Sequence, residues 1–252
     1  MNVPVAAEAA LAEILGRDDP AIVGVVLTGS AARGMANEHS DVDVYVVLDD
    51  GAEPREAEKS RFLDELPVSL KELETPAVFG TEGWWNRWSF AWAQVLRDGS
   101  GGRLTAAVHR QATLDEDEQR NILTRGDRLD GWLNFAYRAA KSARDGRTRE
   151  ARFDAAESVP WLLDVIFTLS GRVRPYNKYL PWELRAHPLA VQEWSADRLV
   201  PQLEAMLDGD VAALRTAYPV VEREARAWDA AHDTTSLGDI VDGWGSELDL
   251  LR

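Results

Sequence analysis

Apolar side chains recur every three to four positions from Ala6 to Arg17, which predicts an opening helix that Pro20 stops. The next apolar run has no polar gaps. Residues 21 to 27, AIVGVVL, are a short β-branched stretch of the kind that forms a buried strand. Residues 41 to 48, DVDVYVVL, alternate at first and then become wholly apolar, predicting a second strand that ends at a DDGAEP loop. Residues 57 to 72 mix charged and apolar positions and are read as helical. Two further segments, WWNRWSFAWAQVL at 84–96 and RLTAAVHRQATL at 103–114, flank the turn-forming RDGSGG and predict a hairpin.

After about residue 115 the pattern lengthens into helical periods that run to the C-terminus. Helices are expected at about 128–145, 149–170, 195–208 and 210–231, with proline-bearing interruptions around Pro175 and Pro181 and again at Pro188. Trp132 and Trp161 fall at helical positions and read as core. The expected fold class is α+β, with a mixed-sheet core in residues 1–122 followed by an all-helical domain in residues 123–252. The boundary is expected between 120 and 127.

Composition narrows the function classes. A hydrophobic content of 45% with ten tryptophans in 252 residues can fill the core of one large domain or two small ones. The formal charge of −15, from 28 Lys+Arg against 43 Asp+Glu, argues against duplex DNA or an anionic membrane as partner. It would draw a cationic small molecule. With no cysteine there is no disulfide framework, thiol nucleophile or Cys-ligated zinc, and no histidine cluster has metal spacing. The N-terminal stretch lacks a basic start and is interrupted by Glu8 and Glu13, and no apolar run reaches the roughly 18 residues of a membrane span. The expectation is a cytoplasmic protein.

The chemistry concentrates in LTGSAARGMANEHSDVDVYVV, residues 27 to 47. Asp41 and Asp43, two apart on a strand, point to the same face. Carboxylates held side by side repel unless a cation joins them, and Mg²⁺ is commonly bound by one or two carboxylates together with substrate phosphates. Gly29 lets backbone approach a phosphate, Ser30 offers a hydroxyl and an N–H, and a helix starting near Ala31 would aim its N–H groups at the anion. The pattern therefore predicts a metal–triphosphate site. His39 lies on the loop before Asp41, where contact with a phosphate and plain solvation are both open.

Gly29-Ser30, ten residues, then Asp41-Val42-Asp43 on a strand resembles the signature of the DNA polymerase β-type nucleotidyltransferases, a superfamily that includes aminoglycoside and other antibiotic nucleotidyltransferases. The resemblance covers about residues 21 to 48. It implies that the glycine and serine hold the nucleotide phosphates and that the two aspartates bind divalent ions. It also implies a third acidic residue on a later strand. WSFAWAQVL contains none, and the nearest candidate is Asp98, which is equally well explained as a turn-former.

In the helical half, GRVRPYNKYLPWELRAHP gathers Arg172, Arg174 and Lys178 in an otherwise acidic chain, and the resemblance implies a cation there that reaches the triphosphate, for which Lys178 is the choice. Arg138 and Lys141 share neighbouring helical positions with Tyr137 and Arg144, and are candidate phosphate or substrate contacts by the same resemblance, or part of a solvated face. Glu157, on the following expected helix with Asp154 and Asp164, is a candidate general base or an anchor for a cationic acceptor.

These readings combine into Mg²⁺-dependent transfer of a nucleoside monophosphate, AMP from ATP, to a hydroxyl of a small acceptor such as an aminoglycoside-type antibiotic, with pyrophosphate released in a cleft between the two domains. A toxin-type enzyme acting on protein or tRNA, and a nucleotide-binding regulatory protein with a degenerate site, are the alternatives. The absent third acid favours the last.

Overall fold

The computed structural model describes residues 5–252. By its internal contacts the chain divides after Thr113, so residues 114–122 go with the helical unit, whereas the sequence pattern put the boundary at 120–127.

In the first unit, helix α1 (Val5–Gly16) leads to strand β1 (Ile22–Leu27), a single helical turn α2 (Gly29–Ala32) and strand β2 (Val42–Leu48). A two-residue strand β3 (Glu58–Lys59), strand β4 (Leu63–Ser69) and helix α3 (Leu70–Glu74) follow. A 3-10 turn at Trp84–Phe90, strand β5 (Gln94–Asp98) and helix α4 (Arg103–Ala112) complete the unit. The sheet runs β3-β4-β2-β1-β5, with β2 parallel to β4 and the other neighbours antiparallel.

Because strand side chains alternate, β2 serves two cores at once. Val42, Val44 and Val46 pack with Leu11 and Ile14 of α1, whereas Val47 joins Val26, Leu70, Phe90 and Leu104 on the opposite face. Asp43 and Tyr45 belong to this second face. Glu65 of β4 points the other way, is buried, and receives Nη1 of Arg17 at 2.6 Å; this pairing holds the Arg17 guanidinium above its ordinary pKa.

Two expectations are corrected here. Within residues 57–72 the structure has strands β3 and β4, with helix only from Leu70: Pro67 would break a helix interior, while β4 finds a full parallel partner in β2 from Val42↔Leu63 to Leu48↔Ser69. The hairpin expected over 84–114 keeps only β5. Its second arm is helix α4, whose buried Leu104, Ala107, Val108 and Gln111 are spaced three and four apart, the period of one helix face.

The second unit contains α5 (Glu116–Leu123), α6 (Arg128–Arg144), α7 (Thr148–Leu169), α8 (Leu180–Ala186), α9 (Ala196–Leu207), α10 (Val211–Ala231) and α11 (Ser236–Gly243). The four helices expected here agree with α6, α7, α9 and α10 to within a residue at each end. Pro181 sits in the first turn of α8, where its missing N–H costs nothing. Trp132, Leu162, Phe167, Met206, Tyr218 and Leu237 share one core, and Trp161 packs partly buried against it. No helix among the described residues is long and apolar enough to cross a membrane.

Candidate active site

The first unit brings together three carboxylates, and one of them was not anticipated. Asp41, Asp43 and Asp64 each offer an oxygen within 4.8 Å of the others, a group that could hold a metal ion. Asp41 precedes β2, Asp43 lies on it, and Asp64 is the residue of β4 directly paired with Asp43. Registered neighbours on parallel strands project their side chains to the same face about 4.8 Å apart. Three anions at this spacing repel one another in the absence of a cation, and hard oxygen donors suit Mg²⁺ or a similar divalent ion. Lys59, on β3, reaches Asp64 Oδ2 with its Nζ at 2.9 Å. That hydrogen bond, and then the charge of the same aspartate, raises the Lys59 pKa, with Asp43 and Asp41 adding to it.

The turn after β1 stands against this cluster. Gly29 has φ +62, and a Cβ there would overlap the Asp43 carboxylate, so both the backbone conformation and the space require glycine. Thr28 donates its backbone N–H to Asp43 O at 2.9 Å, tying the end of β1 to the aspartate's own backbone. As N-cap of α2 it makes no side-chain cap, and α2 is only four residues long, shorter than the helix expected from Ala31. Arg33 fastens the turn from beneath: Nη1 donates to Gly29 O at 2.6 Å, and Nη2 donates to Ser89 O at 3.0 Å and Ala91 O at 2.6 Å. Its guanidinium lies 4.2 Å from the centre of the Trp88 ring.

Beyond Asp43 on the same face, Tyr45 lies beside Phe90 with ring centres 4.7 Å apart. Burial pushes its phenol above the usual value, Ser89 works against the shift, and the Asp43 charge reinforces it. Tyr45 forms part of the wall of a cavity of about 620 Å³ that also touches Val68, Asn86 and Gln111. His39 is exposed, 3.5 Å from Glu38.

Asp98 lies elsewhere. On β5 it is paired with Gly24, across β1 from the aspartate cluster. Its carboxylate accepts from Ser100 Oγ at 2.6 Å, Thr105 Oγ1 at 2.7 Å and the N–H groups of both residues, fastening the start of α4. These donors hold its carboxyl well below the ordinary value. The carboxylate that the structure brings to Asp41 and Asp43 is thus on β4, in a segment whose residue pattern reads as helix.

In the helical unit, Lys178 is exposed in a 3-10 turn with Nζ 4.8 Å from the centre of the Tyr179 ring, and Lys141 is exposed with Nζ 5.5 Å from that of Tyr137. Arg138 is paired with Asp154 at 3.3 Å. Glu157 is exposed and accepts from Trp161 Nε1 at 3.4 Å. Arg172 is engaged internally by Glu183 and by His187 O, the latter at 2.8 Å. Arg174 lies 3.4 Å from Asp164, whose carboxyl is raised by burial against the pull of Arg174 and Arg128.

The model of the nucleotidyltransferase domain family matches residues 9–76, a span that holds Gly29, Ser30, Asp41, Asp43 and Asp64. Among solved structures the chain is similar to a nucleotidyltransferase-like protein from Exiguobacterium sibiricum 255-15, with 14% identity, coverage of 95% of this chain and 90% of that one, and a TM-score of 0.32. No curated protein matches the chain.

Proposed function

We propose that this chain, whose residues 9–76 form a nucleotidyltransferase domain, moves AMP from ATP to a hydroxyl of a small cationic acceptor of the aminoglycoside type and releases pyrophosphate. The observation that carries the reading is the cluster of Asp41, Asp43 and Asp64 beside the Gly29-Ser30 turn. Mg²⁺, held by these carboxylates, would supply Lewis-acid polarisation of the phosphate and acidify the acceptor hydroxyl.

The chain's own groups do the rest. Gly29 and Ser30 receive the β- and γ-phosphates on backbone N–H groups and a hydroxyl. Asp64 stands in registry with Asp43 and takes the proton that leaves the acceptor. The acceptor oxygen bonds to the α-phosphorus as the bond from that phosphorus to the bridging oxygen breaks, and the electron pair leaves with pyrophosphate. Lys178 and Lys141, exposed cations of the helical unit, are assigned to phosphate binding. Arg138, already engaged by Asp154, is the weaker candidate. Glu157 is assigned to an amino group of the acceptor. The charge of −15 supports a cationic acceptor, and the need for ATP supports a cytoplasmic location. The third carboxylate, Asp64, supports an active transferase over a degenerate regulatory protein.

The test is calorimetric titration of ATP, GTP, CTP and UTP with and without Mg²⁺, on the wild type and on Asp41→Asn/Asp43→Asn, followed by a pyrophosphate-release screen over aminoglycosides. Expected are Mg²⁺-dependent binding that the double variant abolishes and release with at least one aminoglycoside. Binding that persists unchanged in the double variant refutes the metal assignment, and a family of acceptors without release refutes the acceptor.

A further inference from the structure

The cavity of about 620 Å³ in the first unit holds none of the groups assigned above. Its wall includes Tyr45 of β2, Val68 of β4, Asn86 and Phe90 of the 3-10 turn, and Gln111 of α4. Sites of this size for small molecules combine an apolar, aromatic surface with a few placed polar groups. Tyr45 and Phe90 supply the aromatic surface, their ring centres 4.7 Å apart. Gln111 supplies a polar group. It is 6% exposed, and its Nε2 donates to Leu73 O at 2.8 Å, which fixes the direction of the amide. Its Oε1 accepts from no group among the described residues and yet is not sealed off, so it opens into the cavity. That oxygen takes only a donor, such as a hydroxyl or an amino group, and is costly to leave unpaired. The Asn86 side chain, without a partner among the described residues, adds a donor and an acceptor.

The order of groups along the sheet face says which substrate belongs there. Val26 and Leu27 of β1 pair with Tyr45 and Val44 of β2, so the Gly29-Ser30 turn lies toward the start of β2 and Tyr45 lies on the other side of Asp43. Asp43 and Tyr45, two apart on one strand, share a face about 7 Å from each other. The burial that raises the Tyr45 phenol is reinforced by the Asp43 charge, as that proximity requires. In phosphoryl transfer the attacking and leaving oxygens stand roughly in line through the phosphorus. With the β- and γ-phosphates on the turn and the α-phosphorus at the aspartates, the attacking oxygen arrives from the Tyr45 side.

We propose that this cavity seats the acceptor, as a saturated ring bearing hydroxyl and amino groups, an inference that rests on the nucleotidyl-transfer reading above. Such a ring lays its C–H face on Tyr45 and Phe90 and gives a donor to Gln111 Oε1. Asn86 receives its remaining polar groups. The hydroxyl that reacts is the one directed past Tyr45 toward Asp43 and Asp64.

The experiment titrates kanamycin and, separately, Mg²⁺·ATP by calorimetry into the full chain as wild type, Val68→Phe and Asn86→Leu. Val68→Phe fills the cavity, whereas Asn86→Leu changes an exposed side chain and keeps the fold even where the larger substitution does not, which melting curves verify. The expected result is kanamycin binding weakened at least about tenfold by Val68→Phe and about three- to tenfold by Asn86→Leu, with Mg²⁺·ATP bound by both variants as by the wild type. Kanamycin affinity unchanged in the folded variants overturns the proposal, as does weakened Mg²⁺·ATP binding, which would put the nucleotide in the cavity instead. A wild type that binds Mg²⁺·ATP and not kanamycin overturns it too. A wild type that does not bind Mg²⁺·ATP overturns the nucleotidyl-transfer reading beneath it.

Discussion

Gly29→Ala separates two costs that are usually confounded. Left-handed backbone costs an alanine about 1–2 kcal/mol, offset by roughly 0.4–1 kcal/mol because the unfolded chain also loses freedom. The net loss of stability is therefore ~1 kcal/mol from conformation alone. Gly34 supplies the control: its φ is +69, yet nothing lies within 4 Å of where a Cβ would stand. Gly34→Ala meets the conformational cost and nothing further. At Gly29 the new Cβ would overlap Asp43 Oδ2 and approach its Cγ to 2.9 Å and its Cβ to 3.3 Å, so rotation of the carboxylate alone does not clear it. Ordinary contact begins at 3.4 Å, and the aspartate has to withdraw by an ångström or more at its tip. Misplacing a catalytic group by about 1 Å costs on the order of 10²-fold, equivalent to ~2.7 kcal/mol at 1.36 kcal/mol per decade. Melting curves should show both variants folded, with Gly29→Ala weakened at least as much as Gly34→Ala. Calorimetry with Mg²⁺·ATP, and pyrophosphate release once an acceptor is in hand, should show a loss of about 10² for Gly29→Ala and little for Gly34→Ala. Two variants indistinguishable in Mg²⁺·ATP affinity would refute the claim that glycine is there to admit Asp43.

Asp64→Asn should weaken Mg²⁺-dependent triphosphate binding by at least about tenfold, whereas Asp98→Asn should leave it intact, as calorimetry on the two variants would show. Asp98→Asn should instead lower the melting temperature in a pH-dependent way. Its folded pKa is depressed by the donors of Ser100 and Thr105, so its contribution is complete above the ordinary value of 3.8 and disappears as pH falls through the lower folded value. The melting difference from wild type should be constant from neutral pH to about 5 and shrink only below about 4. Lys59→Met removes an exposed competitor for Asp64 and should tighten Mg²⁺ binding about two- to threefold in the same calorimetry, the equivalent of an exposed ion pair of ~0.5 kcal/mol. Arg172→Met takes the cationic partner from the Glu183 carboxylate, whose side chain is 1% exposed, and should destabilise the helical unit by about 3 kcal/mol in denaturant melts, with Glu183→Leu in the same chain recovering much of it.

The parts of the site that were legible are those in which chain neighbours do the work. The β1 and β2 runs, the Gly-Ser turn and the Asp41/Asp43 pair all lie within one strand–turn–strand, where alternation and turn chemistry are local. Asp64 was not legible because its role depends on a parallel pairing with β2 across a long connection, and because only Glu65 of β4 is fully buried, which blunts the pattern of LDELPVS. Pro67 was the available warning against a helix. The residues 103–114 misled through their flanking glycines, although the helical spacing of Leu104, Ala107, Val108 and Gln111 was present. Arg33 and Arg87 were invisible for another reason: both are buried and bond backbone carbonyls, which no residue pattern advertises.

The ion pair between Arg17 and Glu65 takes on a meaning that its distance from the chemistry conceals. A one-residue slip of β4 along β2 would turn Asp64 to the opposite face and offer Glu65 to the cluster in its place, leaving a carboxylate count that looks correct. That slipped sheet would have to pull Glu65 from its buried site at 2.6 Å from Arg17 and present Asp64 to the apolar face packed by α1. The pair thus works as a register pin: it makes the wrong alignment of the parallel strands costly on the side of the sheet away from the substrate. Substitutions at Arg17 would then surface as a fraction of molecules that are folded, compact and unable to bind metal, a defect of proofreading in assembly rather than of catalysis.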